Sequence, residues 1–342
     1  VRVMSDMQSL ASSITAVTSP FRNYLHELHE RYQALNDGAV ADYIPELALA
    51  KPEWFGICVV TKAGQVFEIG DCEQLFTIQS ISKAFVYGLA LEDHGRDYVN
   101  SKVSVEPTGE AFNAIVLDEK TNRPYNPMVN AGAIATTDLV KGANSTERLK
   151  RMLAMFKRYT GRDHDINVPI FLSEKATGFR NRAMAYLMLN FGMVSDRVDE
   201  TLDLYFQQCS IMVTAKDLAM LSATLANGGV NPVTGERALD ERYVQDVISV
   251  MLTCGMYDGS GEWTYRVGMP AKSGVGGGIT AVAPNILGVG TFSPLLDAKG
   301  NSARGIKVCE ALSHDFGLHL FNVAQPENDL AECIAGNDAD NW

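Results

Sequence analysis

A serine and a lysine three residues apart, Ser80 and Lys83, form the pair of residues whose chemistry is most evident in this chain. They lie in an apolar, helix-compatible run at residues 76–83, so their spacing places both side chains on one helix face. A serine hydroxyl becomes a good nucleophile when a base takes its proton, and a lysine in a desolvated pocket can be that base. The spacing predicts acyl transfer through a serine ester; an ordinary helix start with a solvated lysine is the alternative.

A second informative segment, residues 272–278, reads Lys-Ser-Gly-Val-Gly-Gly-Gly. Glycines let the backbone approach a ligand closely, and backbone N–H groups there can stabilise an oxyanion. Ser-x-x-Lys followed by Lys-Ser-Gly is also the order found in penicillin-recognising acyl-transfer enzymes. A glycine-rich turn between strands is the simpler interpretation, but two motifs in the right order favour an enzyme.

Histidine, metal and nucleotide chemistry are not favoured by the sequence. His26 and His29 stand in His-Glu-Leu-His-Glu, which lacks the spacing of a zinc protease, and the other four histidines have no motif around them. No Gly-x-Ser-x-Gly elbow occurs. Ala271 stands where a phosphate-binding loop needs a glycine before its lysine, Lys272. We therefore expect a serine enzyme with no cofactor and no metal.

The composition argues against several other classes. A net charge of −12 and a pI near 5.0 disfavour nucleic acid as a partner. No apolar run reaches about 18 residues, so no membrane span is expected. Six cysteines without a Cys-x-x-Cys pair are typical of isolated thiols in a reducing compartment. Residues 1–11 lack the charged and apolar segments of a signal peptide, and we expect a cytoplasmic protein.

Strand-like segments lie at both ends of the chain, and helix-like segments lie between them. Strands are predicted as a hairpin at 54–69 and as single segments at 265–270, 279–283 and 286–292. Helices are predicted at 12–50, 130–141, 145–160, 181–191, 214–226, 239–254 and 304–320, and one begins at Ser80.

This order suits an α+β fold, in which both ends of the chain complete an antiparallel sheet and a helical subdomain is inserted between them. We expect one catalytic domain over residues 1–322. Its sheet subdomain would cover about 12–79 and 255–322, and its helical subdomain about 80–254. A mobile, acidic tail is expected at 323–342.

Six motifs, in this order, resemble those of the serine-dependent glutaminase family. The motifs are Gln-Ser-x-x-Lys at 79–83, Asn-Pro-Met-Val-Asn-Ala-Gly-Ala-Ile at 126–134, Ser-Glu-Lys-x-Thr-Gly-x-Arg-Asn at 173–181, Tyr-Phe-Gln-x-Cys-Ser-Ile at 205–211, Cys-Gly-Met-Tyr-Asp at 254–258 and Pro-Ala-Lys-Ser-Gly-Val at 270–275. The resemblance extends from about Tyr43 to about Phe321. It implies a β-lactamase/DD-peptidase-like fold and hydrolysis of L-glutamine to glutamate and ammonia. We also expect a homo-oligomer, either a dimer or a tetramer.

The resemblance implies roles for individual residues. Ser80 would be the nucleophile, Lys83 the base and Tyr257 a proton relay, with the backbone N–H groups of Ser80 and Val275 as the oxyanion hole. The implied substrate-binding residues are Tyr43, Ser80, Asn130, Glu174, Asn181, Tyr205, Tyr257 and Val275. Glutamine carries an α-ammonium, which suits Glu174, and an α-carboxylate, which suits amide and phenol donors.

Other interpretations stay open at the level of sequence. Tyr257 and Tyr43 could be packing tyrosines, and Asn130 and Asn181 could be helix caps or turn residues. A β-lactamase or penicillin-binding peptidase shares the first and last motifs, although a Ser-Asp-Asn element is missing. A catalytically silent glutamine- or protein-binding module is the remaining alternative; the intact pair of Ser80 and Lys83 argues against it.

Overall fold

The computed structural model describes residues 19–111, 113–324 and 328–335. The strands in these ranges are β1 (Gly56–Thr61), β2 (Val66–Gly70), β3 (Phe76–Thr77), β4 (Met212–Val213), β5 (Ala271–Gly274), β6 (Gly278–Ala283) and β7 (Leu287–Phe292). The helices are α1 (Pro20–Gln33), α2 (Ser82–His94), α3 (Arg96–Lys102), α4 (Asn130–Asp138), α5 (Ser145–Thr160), α6 (Val168–Thr177), α7 (Phe179–Asn190), α8 (Val198–Cys209), α9 (Ala215–Ala226), α10 (Glu241–Cys254), α11 (Ser260–Arg266), α12 (Ala303–Asp315) and α13 (Leu330–Ala335). Residues 1–11, where no export signal is expected, and the start of the helical region predicted at 12–50 lie outside the described residues.

Five strands form one antiparallel sheet in the order β2-β1-β7-β6-β5. The central pair joins the two ends of the chain, because β1 lies beside β7 with Gly56 opposite Phe292 and Thr61 opposite Leu287. The strands β1, β6 and β7 are buried throughout, so both faces of the sheet are covered. The predicted sheet, built from both ends of the chain, is confirmed.

Helix α9 covers one face of the sheet at very short range. A Cβ atom added to Gly290 of β7 would lie 2.2 Å from the carbonyl oxygen of Ala215 and 2.3 Å from the backbone nitrogen of Ala219. Gly288 makes a similar approach to the same helix. These two glycines therefore let a helix backbone rest directly on the sheet.

Helices α1 and α12 cover the opposite face of the sheet. Phe21, Leu25 and Leu28 of α1 lie in one apolar core with Val289 of β7 and Leu312 of α12. The spacing of these α1 residues is the helical pattern that the sequence predicts, and their burial fixes the face of the helix.

The inserted helices surround α2, the helix that follows the Ser80 turn. A short 3₁₀ turn, Gln79–Ile81, leads into α2, whose residues from Ser82 to Leu91 are all buried. The side of α2 away from the sheet packs against α4, α5 and α10. The start of α2 therefore lies at the junction of the sheet and the helical part of the chain.

Several predicted elements differ from those observed. Residues 265–270, predicted as a strand, are the end of α11 and a turn at Gly268; β5 begins only at Ala271. Tyr265, at the end of α11, is exposed, whereas Val267 and Met269 in the segment that follows are buried, so these apolar residues do not form one face of a strand. Of the helical region predicted at 12–50, residues after Gln33 are irregular except for a 3₁₀ turn at Leu47–Leu49.

The C-terminal tail, expected to be mobile from residue 323, contains helix α13. Leu330 and Ile334 pack against the core beneath α1, and Ser19 Oγ donates a hydrogen bond of 3.0 Å to the carbonyl of Cys333. Residues 330–335 thus pack against the folded core, while the mobility expected for the tail stays a prediction. Among the helices in the described part of the chain, none is both long and apolar enough to span a membrane.

The contact between Gly290 and α9 leads to a stability prediction. Gly290→Ala should lower the free energy of unfolding by about 1–3 kcal/mol, since the new methyl group overlaps the helix backbone. The matched control is Gly261→Ala in α11, where an added Cβ would meet nothing within 4 Å. The control should unfold at an equal or slightly higher urea concentration. Equal behaviour of the two variants in urea unfolding would contradict this account of the sheet–helix contact.

Candidate active site

Ser80 is buried in the 3₁₀ turn that precedes α2. Gln79, the residue before it, has a φ of +50°, a left-handed conformation that costs free energy for a residue other than glycine. The segment 272–278 lies against this turn. A Cβ on Gly274 would lie 2.8 Å from the carbonyl oxygen of Ile78, and one on Gly276 would lie 2.5 Å from that of Thr77. Glycine is therefore required where this loop approaches the Ser80 turn.

Lys83 is completely buried one turn after Ser80. Its Nζ donates hydrogen bonds to Asn130 Oδ1 at 2.7 Å and to the carbonyl oxygen of Met128 at 3.3 Å. Burial lowers the pKa of Lys83 to about 8, although Cys209 and Glu174 act in the opposite direction. The lowered pKa that the sequence reasoning required is present, and burial is its cause.

Lys272 is a second buried lysine at the same site. Its Nζ donates to the carbonyl oxygens of Gly255 at 2.9 Å and Ser273 at 2.7 Å. It lies 4.3 Å from the ring centre of Tyr257. Burial, followed by the charge of Lys83, holds the pKa of Lys272 well below its ordinary value. Both amino groups are thus placed where the neutral form is favoured.

Tyr257 connects Ser80 to the loop after β5. It has a φ of +56° at the start of a 3₁₀ turn, and its ring is buried. The Tyr257 hydroxyl donates a hydrogen bond of 3.2 Å to the carbonyl oxygen of Ser273, accepts one from the Val275 N–H, and is hydrogen-bonded to the Ser80 hydroxyl. Burial raises the pKa of this phenol, so it is protonated in the resting site.

Glu174, on α6, supplies a carboxylate to the other end of the site. Tyr43 donates its phenol proton to Glu174 Oε1 at 2.7 Å, and the Gln79 side chain also hydrogen-bonds to this carboxylate. Burial raises the pKa of Glu174, while the Tyr43 and Gln79 hydrogen bonds and the charge of Lys83 lower it. The carboxylate is therefore held in a fixed position by neutral donors, with no cation paired to it in the described structure.

Asn130, the first residue of α4, links the base to the polar wall of the site. Its Oδ1 accepts from Lys83 and also from the Tyr205 hydroxyl at 3.3 Å. Its Nδ2 donates to Asn181 Oδ1 at 3.0 Å. The carboxamide therefore holds Lys83 and Asn181 in one network, a contact that the sequence reasoning did not foresee.

These side chains surround a cavity of about 510 Å³. The lining residues are Tyr43, Gln79, Ser80, Asn113, Asn130, Glu174, Thr177, Gly178, Phe179, Arg180, Asn181, Tyr205, Cys209 and Val275. Of the sequence-predicted site residues, Lys83 lies buried behind this wall and Tyr257 lines a smaller neighbouring cavity. Both are joined to the lining residues by the hydrogen bonds described above, so the structure brings all the predicted residues together.

Two contributors were not assigned a role by the sequence. Gln79 contacts Glu174 and has the left-handed backbone conformation described above. In the sequence, only its position directly before Ser80 could have indicated a role in the site. Cys209 is buried beside Tyr205 and hydrogen-bonds to its hydroxyl. Although it stands in the motif at 205–211, the sequence assigned it no role. In the ranges that the structure describes, no group of three or more histidine, cysteine or acidic side chains could hold a metal ion.

Comparison with known proteins gives one consistent result. A model of the family described as Glutaminase matches residues 38–321. The chain is 75% identical over 332 residues to the glutaminase of Microcystis aeruginosa, covering 97% of this chain and 98% of that protein. It is 61% identical to the glutaminase of a Nostoc species, covering 95% and 97%.

Solved structures extend the comparison to the fold. A crystal structure of Mglu in its glutamate form superposes with a TM-score of 0.85 at 43% identity, covering 90% of this chain and 71% of that one. The structural neighbours are glutaminases with the β-lactamase-like fold, which this chain shares, as the sequence predicts. On this evidence from motifs, fold and relatives, the chain belongs to the glutaminase family.

Proposed function

We propose that this protein is an L-glutamine amidohydrolase that forms glutamate and ammonia through a covalent ester of Ser80. The observation that carries the proposal is the contact between Ser80 and Tyr257 beside Lys83, a buried lysine with a pKa of about 8. The relatives named as glutaminases, and a neighbour solved in its glutamate form, support the choice of substrate.

The cavity offers complementary groups to both ends of a free amino acid. The Glu174 carboxylate would receive the α-ammonium, since its present partners Tyr43 and Gln79 are neutral donors. Asn181, Tyr205 and the second N–H of Asn130 would bind the α-carboxylate. A substrate fixed at both ends would direct its γ-amide towards Ser80, which supplies much of the rate enhancement by orientation.

Lys83 would act as the general base. A neutral amine has two N–H groups and one lone pair, and the acceptors Asn130 and Met128 use both N–H groups. The lone pair then remains for the Ser80 proton. As Ser80 Oγ bonds to the γ-carbon, the carbonyl π electrons move to its oxygen.

The Tyr257 phenol would then protonate the leaving nitrogen. Ser80 Oγ is by then bonded to carbon and carries no proton, so the proton that Lys83 gains would pass to the phenol oxygen as the phenol gives its own proton to the nitrogen. The C–N bond breaks and ammonia leaves. Water then attacks the ester carbon in ammonia's place, its proton is taken by the base, and glutamate leaves as Ser80 regains its proton.

The oxyanion would be stabilised by the N–H groups of Ser80 and Val275. In this structure the Val275 N–H donates to Tyr257, so it would turn to the substrate oxygen as charge develops there. Removing one such donor in other enzymes costs about 3–4 kcal/mol, which makes the close approach of Gly274 and Gly276 as important as the base.

We further propose that the protein works as a homo-oligomer in a reducing compartment, the cytoplasm. Large apolar side chains are exposed on neighbouring helices, including Leu172 on α6 and Phe179 on α7, the latter 73% exposed. The reducing compartment is supported by the six cysteines, all of which are unpaired. Light scattering of the purified protein tests the oligomer; a monomer at micromolar concentration would rule it out.

The first functional prediction concerns Ser80. Wild type should release ammonia from glutamine and leave a chromogenic β-lactam intact, which separates the proposal from the β-lactamase alternative. Ser80→Ala should lose about 10³-fold or more of turnover, because no other group can form the ester. Ser82→Ala is the matched control, because Ser82 itself does not line the cavity; its hydroxyl donates to Gln79 O and accepts from Gln208, and activity should stay within about tenfold. Turnover above about a tenth of wild type in Ser80→Ala would exclude the mechanism.

The pH dependence should report Lys83. Below pH 8 the lysine is mostly an ammonium without a lone pair, so kcat/KM, which reports the unliganded enzyme, should rise with pH and reach half its plateau near pH 8. Lys83→Arg should be almost inactive at every pH, as a guanidinium cannot accept the proton. Lys307→Arg, at an exposed position on α12, should keep the wild-type profile. A flat profile between pH 6 and 9 would assign the base elsewhere.

Glu174 should determine selectivity for a free α-ammonium. Glu174→Gln should weaken use of glutamine by roughly 30- to 5000-fold in kcat/KM, the effect of about 2–5 kcal/mol for a desolvated charge pair. Glutamine with an acetylated α-amino group should be a poor substrate for wild type, and wild type and Glu174→Gln should hydrolyse it at similar rates. Efficient hydrolysis of the acetylated compound by wild type would remove this role from Glu174.

A further inference from the structure

Ser260, the first residue of α11, follows Tyr257 by three positions and stands outside the motif at 254–258. It is buried, and it does not line the catalytic cavity. Its hydroxyl accepts a hydrogen bond of 3.0 Å from the N–H of Met256 and donates one of 2.8 Å to the carbonyl oxygen of Tyr257. One side chain therefore bridges the backbone on both sides of the Met256–Tyr257 peptide bond.

This bridge acts on the backbone torsions that direct the Tyr257 side chain. The chain between the two bridged atoms contains the ψ angle of Met256 and both the φ and ψ angles of Tyr257. A φ of +56° is unfavourable for a bulky residue and persists only where the surroundings enforce it. The backbone N–H of Ser260 donates to the same Tyr257 carbonyl, so Ser260 closes the turn with two hydrogen bonds.

The Tyr257 ring has little room in which to correct a change in its backbone. The Lys272 amino group lies 4.3 Å from the ring centre. At the ring edge, a Cβ added to Gly300 would lie 3.7 Å from Cε2 of Tyr257. Because β5 and the loop before α12 confine the ring in this way, the hydroxyl meets Ser80 and Val275 only when the backbone presents the side chain at the correct angle.

From these contacts we propose that Ser260 is a positioning residue for amide hydrolysis, whose hydroxyl holds Tyr257 in the left-handed conformation that brings the phenol to Ser80. Ser260 acts through Tyr257 alone, since it does not line the catalytic cavity. The inference rests on the proposed function, in which the Tyr257 phenol protonates the leaving nitrogen. It adds that this proton donor depends on a hydroxyl outside the cavity.

Steady-state kinetics of ammonia release from glutamine test the proposal. Ser260→Ala should lower kcat by about 10- to 100-fold and change KM by less than about threefold, because the residues that would bind both ends of glutamine lie elsewhere. Ser260→Thr keeps the hydroxyl and should retain kcat within about threefold of wild type. Tyr257→Phe, which lacks the phenol hydroxyl, should lose most activity, and adding Ser260→Ala to it should lower kcat by less than about twofold further.

Ser313→Ala is the matched control, because the buried Ser313 hydroxyl also donates to a backbone carbonyl, that of Val267, and neither residue lines the catalytic cavity. This variant should unfold at a lower urea concentration than wild type, as Ser260→Ala should, but it should keep the wild-type kcat. If Ser260→Ala does not fold, Ser260→Cys replaces it in every comparison, since a thiol is a weaker donor of similar shape.

Three results would overturn the positioning role of Ser260 alone. The first is a kcat above about a third of wild type in Ser260→Ala, and the second is equal impairment of Ser260→Thr and Ser260→Ala. The third is a merely structural effect, in which Ser313→Ala loses as much kcat or Ser260→Ala has the same effect in Tyr257→Phe as in wild type. A fully active Tyr257→Phe would instead overturn the proposed proton donor, and the role of Ser260 with it.

Discussion

The removal of two lysine amino groups from water is the constraint on which this site depends. Lys83 and Lys272 are fully buried, and three of the four oxygens to which they donate come from other elements; the fourth belongs to Ser273, which follows Lys272 on β5. An ammonium in such surroundings is unfavourable, so the fold itself favours the neutral amine that the proposed base requires. The start of α4, the end of α10 and strand β5 converge for this purpose, which explains why the catalytic groups come from such distant parts of the chain.

Backbone conformation contributes as much to the site as side-chain chemistry does. Gln79 and Tyr257 both adopt left-handed conformations, one directly before the nucleophile and the other at its hydrogen-bond partner. Glycines at 274 and 276 allow the opposing loop to approach the same turn. Strain of this kind persists only where surrounding packing enforces it, so the proposed site depends on the packing around both turns.

Sequence reasoning predicted most of the site because its residues stand in compact motifs, and predicted β1, β2, β6 and β7 because these strands lie in clear apolar runs. The remaining strand of the sheet, β5, reads Ala-Lys-Ser-Gly, which is not an apolar run, and it was predicted too early in the chain. The sequence did not predict helices α6 and α8, which carry Glu174 and Tyr205. Helix α6 is short and about equally apolar on all sides, so its sequence has no helical periodicity. The Asn130–Lys83 bond and the contact of Gln79 with Glu174 join residues far apart in the chain. Such contacts depend on tertiary packing, which local spacing does not encode.

The pairing of β1 with β7 has a consequence for the synthesis of this protein. Roughly 220 residues separate the two strands, so the β1–β2 hairpin leaves the ribosome long before its central neighbour exists. At about 5–20 residues per second, that delay is on the order of 10–45 s. During this time β1, most of whose residues are apolar, presents an unpaired edge. Nascent chains should therefore depend on chaperone protection until residue 292 has emerged, more than an enzyme of equal size with sequentially paired strands.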